Sequence, residues 1–194
     1  MRMPMKFTVI LSVLVFVISI DTARAATAIV VSVPDQKLAI VRDGERIAQF
    51  PVSTSKFGLS DRPRSYGTPL GTLQVAAKIG ASAPQGAVFH SRRMTGEVLR
   101  PNAPGRDPIV TRILQLRGLE SGNSNAYGRG IYIHGTAEER TIGRPASYGC
   151  IRMRSRDVVR VFDAVPVGTR VEIVNNSLGA GIREVTPQRL LASR

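Results

Sequence analysis

Short apolar, β-branched runs, each stopped within a few residues by Gly, Pro, Asn or Asp, limit what this 194-residue chain can fold into. Residues 28–33 and 37–42 are two such runs joined through Pro34-Asp35-Gln36, which reads as a hairpin. Asp43-Gly44 marks the next turn and leads into a third strand at 46–52. Runs at 73–77, 109–116, 130–134 and 169–174 continue the series. A chain patterned this way builds its core from sheet, so the expectation is a mainly β protein with a sandwich or barrel-like core.

One helix is expected. Ser155 reads as its N-cap and Asp157 falls in the first turn, where a negative charge suits the helix dipole. Val158, Val161, Phe162 and Val165 follow at helical spacing and predict one core-facing stripe, ended by Pro166 and Gly168. From Asn175 onward the chain is polar and Gly-containing and is read as a tail, at 177–194. Two long connections remain, 56–71 and 80–108. The second, rich in Pro and Gly, is where a lid is expected. His90 lies in it and reads as a solvated side chain.

The N-terminus has the layout of an export signal. Arg2 and Lys6 precede an uncharged, mostly apolar run at 8–20, and Ala23-Arg24-Ala25 supplies a small-x-small cleavage pattern. The run is shorter than the about 20 residues a spanning helix needs, so a cleaved leader at 1–25 is expected, with no stable membrane span afterwards. Removing 25 of 194 residues leaves 169, the size of one domain. The formal charge of +13 falls by two when Arg2, Lys6, Arg24 and Asp21 leave, to about +11. Such a surface seeks polyanions. Aromatics are few and no nucleic-acid motif is present, so envelope polymers and carboxylate-rich substrates are expected in place of nucleic acid. Oligomeric state is left open.

Chemistry concentrates in two short segments. Cys150, the only cysteine, sits in Ser147-Tyr148-Gly149-Cys150-Ile151-Arg152, sixteen positions after His134-Gly135-Thr136, which closes the run Ile131-Tyr132-Ile133. A thiol attacks as thiolate and needs a nearby imidazole, substrate access and N–H donors for the oxyanion it creates. Gly149 lets a substrate carbonyl approach the backbone. A thiol beside imidazole is expected to ionise below about 8.5 and to be alkylated rapidly at neutral pH. One Cys and two His provide no metal-ligand spacing, so neither metal nor cofactor is expected.

These residues resemble the L,D-transpeptidases of bacterial cell walls, the YkuD domain. The family pattern is a strand ending His-Gly-Thr, a variable loop, then Ser-His-Gly-Cys followed by an apolar residue and Arg. Gln36-x-Leu38 within the opening hairpin and Thr68-Pro69-Leu70-Gly71 also resemble family elements, and the likeness runs from about 28 to 174. It implies a β-sandwich of that family with a short helix after the catalytic loop, spanning 26–176. One departure stands out: Tyr148 occupies the position where the family most often has His. A phenol with a pKa near 10 accepts protons poorly at neutral pH. The resemblance further implies Cys150 as nucleophile, His134 as general base, and an oxyanion hole around Tyr148, Gly149 and Cys150. The substrate implied is a peptidoglycan stem tetrapeptide, in the periplasm or cell envelope, where such enzymes shape and organise the wall. The acyl acceptor stays open among a second stem, a lipoprotein lysine, a free D-amino acid and water. Gly135, Ser147 and Arg152 are supporting or substrate-binding candidates. For Arg152 a bidentate grip on a stem carboxylate and a structural brace both fit. A non-catalytic peptidoglycan-binding module is the rival, and such a module has no physical reason to keep the His134–Cys150 pair.

Overall fold

The computed structural model describes residues 27–186. The leader expected at 1–25 and residues 187–194 lie outside that span. β1 (Thr27–Ser32), β2 (Lys37–Arg42) and β3 (Glu45–Pro51) form an antiparallel meander. Asp43 and Gly44 both take positive φ, at 55° and 86°, the pair a tight two-residue hairpin requires. β4 (Gly71–Ile79), β5 (Ala87–His90), β6 (Arg93–Val98) and β7 (Ile109–Gly118) come next. They are followed by β8 (Tyr132–Thr136), β9 (Ile151–Met153), helix α1 (Ser155–Ala164), β10 (Arg170–Val174) and helix α2 (Leu178–Val185).

β10 inserts parallel to β1 and antiparallel to β4, so the sheet runs β3-β2-β1-β10-β4-β7. β8 pairs β7, and β9 lies parallel to β8. The chain leaving β3 then closes the structure, because Ser53 and Arg152 exchange both backbone N–H···O bonds at 2.9 Å. The fold is the mainly β, sandwich-like architecture expected. Inside it, Ile29, Leu38, Leu114, Ile133, Ile151 and Ile173 meet Val158, Val161 and Phe162 of α1. Each such side chain contributes about 1.5–3 kcal/mol on burial.

The outer face of β1 and β2 is covered as well. Val30, Ala39 and Val41 pack under Leu178, Ile182 and Val185 of α2, at i, i+4 and i+7. The stretch read only as a polar tail therefore begins with a helix. Ser177 Oγ accepts the Ala180 N–H at 3.3 Å and Asp35 Oδ2 accepts that of Leu178 at 2.8 Å, so two caps hold its start. At Gly181 a Cβ would stand 2.8 Å from Val174 and 2.9 Å from Val30, which is why a glycine belongs there. Among the described residues no helix is long and apolar enough to cross a membrane.

Within the region 80–108, residues 87–98 form the hairpin of β5 and β6, docked on the start of β7, and His90, read as a solvated side chain, is the exposed last residue of β5. Helix α1 is capped by position Arg154, not Ser155; the Ser155 N–H instead donates to Glu139 Oε1 at 2.8 Å, a carboxylate brought from sixteen residues away. Ser155 Oγ is buried and accepts from Thr111 Oγ1 at 2.7 Å. Thr111 itself has φ 72°, a strained setting for a β-branched residue, at the bulge that shifts the β7–β8 register between Val110 and Ile113.

Candidate active site

Strand alternation sorts β8 and β9 into two chemistries. Ile133, Ile151 and Met153 point into the core, so Tyr132, His134 and Arg152 point to the opposite face. The parallel register pairs Ile133 with Ile151 and His134 with Arg152. Cys150, one residue before β9, thus enters on the same face as His134, alongside Tyr132. Its Sγ lies 3.4 Å from the Gly130 carbonyl and receives the Tyr132 backbone N–H. Sixteen residues of sequence separation collapse to neighbouring strands.

His134 is only 5% exposed, and its Nδ1 bonds the Gly135 carbonyl at 2.8 Å. That bond makes Nδ1 the protonated nitrogen and leaves Nε2 free to accept. Gly135 packs against β7 where a Cβ would meet the Val110 carbonyl at 2.6 Å, so His-Gly is a steric requirement of this crossing. Burial pushes the His134 pKa down to about 4, against the upward pull of the Gly135 carbonyl and Asp107. Burial also pushes the Cys150 thiol up to about 11, although the Tyr132 N–H and the charges of Arg129 and Arg152 pull it down. The resting pair is therefore thiol and neutral imidazole. Desolvation thus outweighs the favourable charges nearby, opposite in direction to the lowered thiol pKa expected from the sequence.

The loop before Cys150 is held from three directions. Gln36 Nε2 donates to Thr54 Oγ1 at 2.7 Å and Gln36 Oε1 accepts the Thr54 N–H at 2.9 Å, while the Thr54 carbonyl accepts the N–H groups of Ala146 and Ser147 at 2.9 Å. Ser147 Oγ donates to the Cys150 carbonyl at 2.6 Å and accepts the Gly149 N–H at 3.1 Å. Thr68 Oγ1 donates to the Gly149 carbonyl at 3.0 Å. Gly149 has φ 117°, which other residues rarely adopt. Of the three N–H groups assigned to an oxyanion hole, that of Gly149 is thus engaged inside the loop.

Arg152 is 6% exposed; it pairs with Asp107 and donates to Thr141 Oγ1 at 2.9 Å. Asp107 also accepts from Thr136 Oγ1. The Arg152 guanidinium thus braces the floor. A cavity of about 780 Å³ opens over Cys150, walled by Tyr148, Tyr66, Ser65, Arg64 and Arg129.

Arg129 was not singled out from the sequence. Its guanidinium reaches Asp61 Oδ1 at 2.8 Å and the carbonyls of Ser60, Ser65 and Gly67 at 2.7–2.9 Å. It shapes the whole 60–67 wall, yet its partners are more than sixty residues away in sequence. The only local cue is an Arg set between two glycines, Gly128-Arg129-Gly130, just ahead of a strand. The tip of the β5–β6 hairpin, Ser91 and Arg92, borders a second cavity of about 460 Å³ on the far side of Gly128 and Gly130. Among the described residues no three His, Cys, Asp or Glu side chains gather as a metal site.

A buried imidazole and a partly exposed thiol on one face of neighbouring strands, under an open cavity, define a mainly β protein with a His–Cys site. The chain belongs to the YkuD family, the L,D-transpeptidase catalytic domain, whose profile matches residues 26–173. It is 32% identical over 158 residues to the probable L,D-transpeptidase ErfK/SrfK of Escherichia coli, covering 80% of this chain and 46% of that one. It is 48% identical over 50 residues to the putative L,D-transpeptidase YqjB of Bacillus subtilis, 26% of this chain and 28% of the relative. The chain thus spans less than half the length of these curated relatives. Among solved structures, the Ldtfm-avibactam carbamoyl enzyme superposes with TM-score 0.50 at 18% identity, over 78% of this chain and 49% of that one, a likeness of fold.

Proposed function

We propose that this chain is an L,D-transpeptidase that forms an acyl-enzyme on Cys150 from a peptidoglycan stem tetrapeptide and passes it to an amine. The observation that carries this is the placement of His134 and Cys150 on one face of adjoining strands, with Cys150 lining the cavity. With both groups neutral at rest, His134 Nε2 takes the thiol proton as Sγ attacks the carbonyl between the diamino acid and terminal D-Ala. The N–H groups of Tyr148 and Cys150 receive the oxyanion, at about 3–4 kcal/mol per donor. Collapse breaks the C–N bond, and the imidazolium returns its proton to the departing amine of D-Ala. The acceptor amine then attacks the thioester, His134 takes its proton, and the proton returns to sulfur. Exposed Arg64 at the cavity wall favours the stem's carboxylates, in keeping with a chain of formal charge +13.

The Tyr148 side chain is outside this scheme, since His134 supplies the base and the backbone supplies the oxyanion donors. The export pattern fits a wall substrate, and we place the mature start at Ala26. Incubation with disaccharide tetrapeptide, with products resolved by mass, tests the proposal. Cross-linked dimer or acceptor exchange with D-Ala release is expected; trimmed tripeptide alone would make water the acceptor. No turnover, with sacculi bound equally by wild type and Cys150→Ala, would establish the binding module instead.

A further inference from the structure

Three large aromatic side chains stand together in solvent at the cavity mouth. Phe57, Tyr66 and Tyr148 are 54%, 58% and 60% exposed, in a chain with only six Phe, four Tyr and no Trp. Their ring centroids lie 5.3–5.6 Å apart, each ring touching the other two. Single exposed apolar residues are ordinary, whereas a contiguous patch marks a contact surface. The backbone beneath is pinned: Lys56 N–H donates to the Ser147 carbonyl at 3.1 Å, Thr68 N–H to Gly58 at 3.0 Å, and Ser60 N–H to Thr68 at 3.0 Å. Rings locked against one another on such a base lose little entropy on binding.

We propose that Phe57, Tyr66 and Tyr148 form a saccharide-stacking platform, so that this chain takes its stem peptide while the stem is still joined to the glycan. This rests on the reading of Cys150 as the nucleophile for a stem peptide. Tyr66 and Tyr148 line the same cavity as Cys150, so the platform is continuous with the reaction centre. Reach also fits. The three residues between the sugar and the scissile carbonyl span about 10 Å extended. Tyr148 is two residues from Cys150, at most about 7 Å of backbone, and the Phe57 ring lies another 5.3 Å from the Tyr148 ring. The chemistry selects the sugar over the stem. A pyranose offers a flat face of C–H groups to the negative faces of the rings, while a stem of small and charged residues has no such face. Lys56 Nζ lies over the Tyr148 ring at 4.4 Å and the Phe57 ring at 5.2 Å, donates to the Tyr148 hydroxyl at 3.0 Å, and has further N–H groups to offer sugar oxygens beside the face it covers.

The test separates the platform from the chemistry. Peptide-free N-acetylglucosamine tetramer is titrated into Cys150→Ala protein and followed by tyrosine fluorescence, which no tryptophan masks. A saturable change is expected, with affinity at least about tenfold weaker when Phe57→Ala or Tyr66→Leu is added and the thermal midpoint is kept. No saturable change, or one that neither substitution weakens, overturns the platform whatever the enzyme does. In turnover, wild type should prefer disaccharide tetrapeptide over free tetrapeptide by at least about tenfold in kcat/KM, and Phe57→Ala should bring that ratio near one. Equal use of both donors by wild type overturns the proposal. Failure to use either, with sugar binding intact, would instead sink the transpeptidase reading and leave the platform standing.

Discussion

The floor and the rim of the cavity are built by opposite means. The floor is two short strands whose polar face is nearly dry: His134 and Arg152 are 5% and 6% exposed, and each is held by a hydrogen bond of fixed geometry. The rim is loop, with three aromatics more than half exposed. Burial at the floor sets proton affinities, holding imidazole and thiol neutral together. Exposure at the rim offers surface. Changes at the floor should therefore act on the chemical step, and changes at the rim on which substrate is held.

The largest effect should come from the floor. His134→Ala removes the base while Cys150 stays in place, so kcat/KM for tetrapeptide should fall about 10²–10⁴-fold in protein shown to be folded. A loss below tenfold would mean another group takes the proton. Next comes the element joining floor to rim. The Arg129–Asp61 pair has side chains 8% and 4% exposed, and Arg129→Ala would strand the carboxylate, costing about 3–5 kcal/mol by denaturant unfolding. A smaller loss would show that the wall does not depend on this arginine.

A third test uses pH. His134 has a folded pKa of about 4 against 6.5 for the free group, so the unfolded chain binds the extra proton between those values. Stability from this group is complete above 6.5 and is lost as pH falls toward 4, by about 3 kcal/mol. His134→Gln should flatten that part of the stability profile relative to wild type; an unchanged slope would place the titration elsewhere. The smallest effect belongs to the rim. With a sugar-free tetrapeptide donor, Tyr148→His should retain activity within about tenfold, or ~1.4 kcal/mol of barrier. A thousandfold loss with the fold intact would give the phenol a part in the chemistry and erase the division between floor and rim.

What the sequence disclosed follows the same division. Of the floor's two strands, β8 was legible from its apolar run at 130–134, whereas three-residue β9 is too short to show an alternation and was not expected; His134 and Cys150 stood out as candidates because few residue types can serve as base and nucleophile. The β5–β6 hairpin was not legible either: its strands are short, β6 is mostly exposed, and its turn places Ser91 and Arg92 at positive φ where Gly or Asn would have signalled it. Helix α2 was hidden by Gly179 and Gly181, the latter needed for close packing on Val30 and Val174. The capping of α1 by Glu139 and the bracing of the wall by Arg129 depend on contacts far apart in sequence, which no local pattern carries. Arg152 shows the complementary case. Its position two residues past the thiol left two roles open, and the contact with Asp107 that supports the bracing one is far away in sequence.

The central claim is that Cys150 is the group that accepts an acyl chain. Intact-protein mass after exposure to a carbapenem tests it most directly, because a strained β-lactam carbonyl traps the nucleophile that opens the stem. Wild type should gain one drug mass, localised by peptide mapping to Cys150, while Cys150→Ala gains none and keeps its thermal midpoint. No mass gain on wild type, or an adduct that persists in Cys150→Ala, would contradict the account.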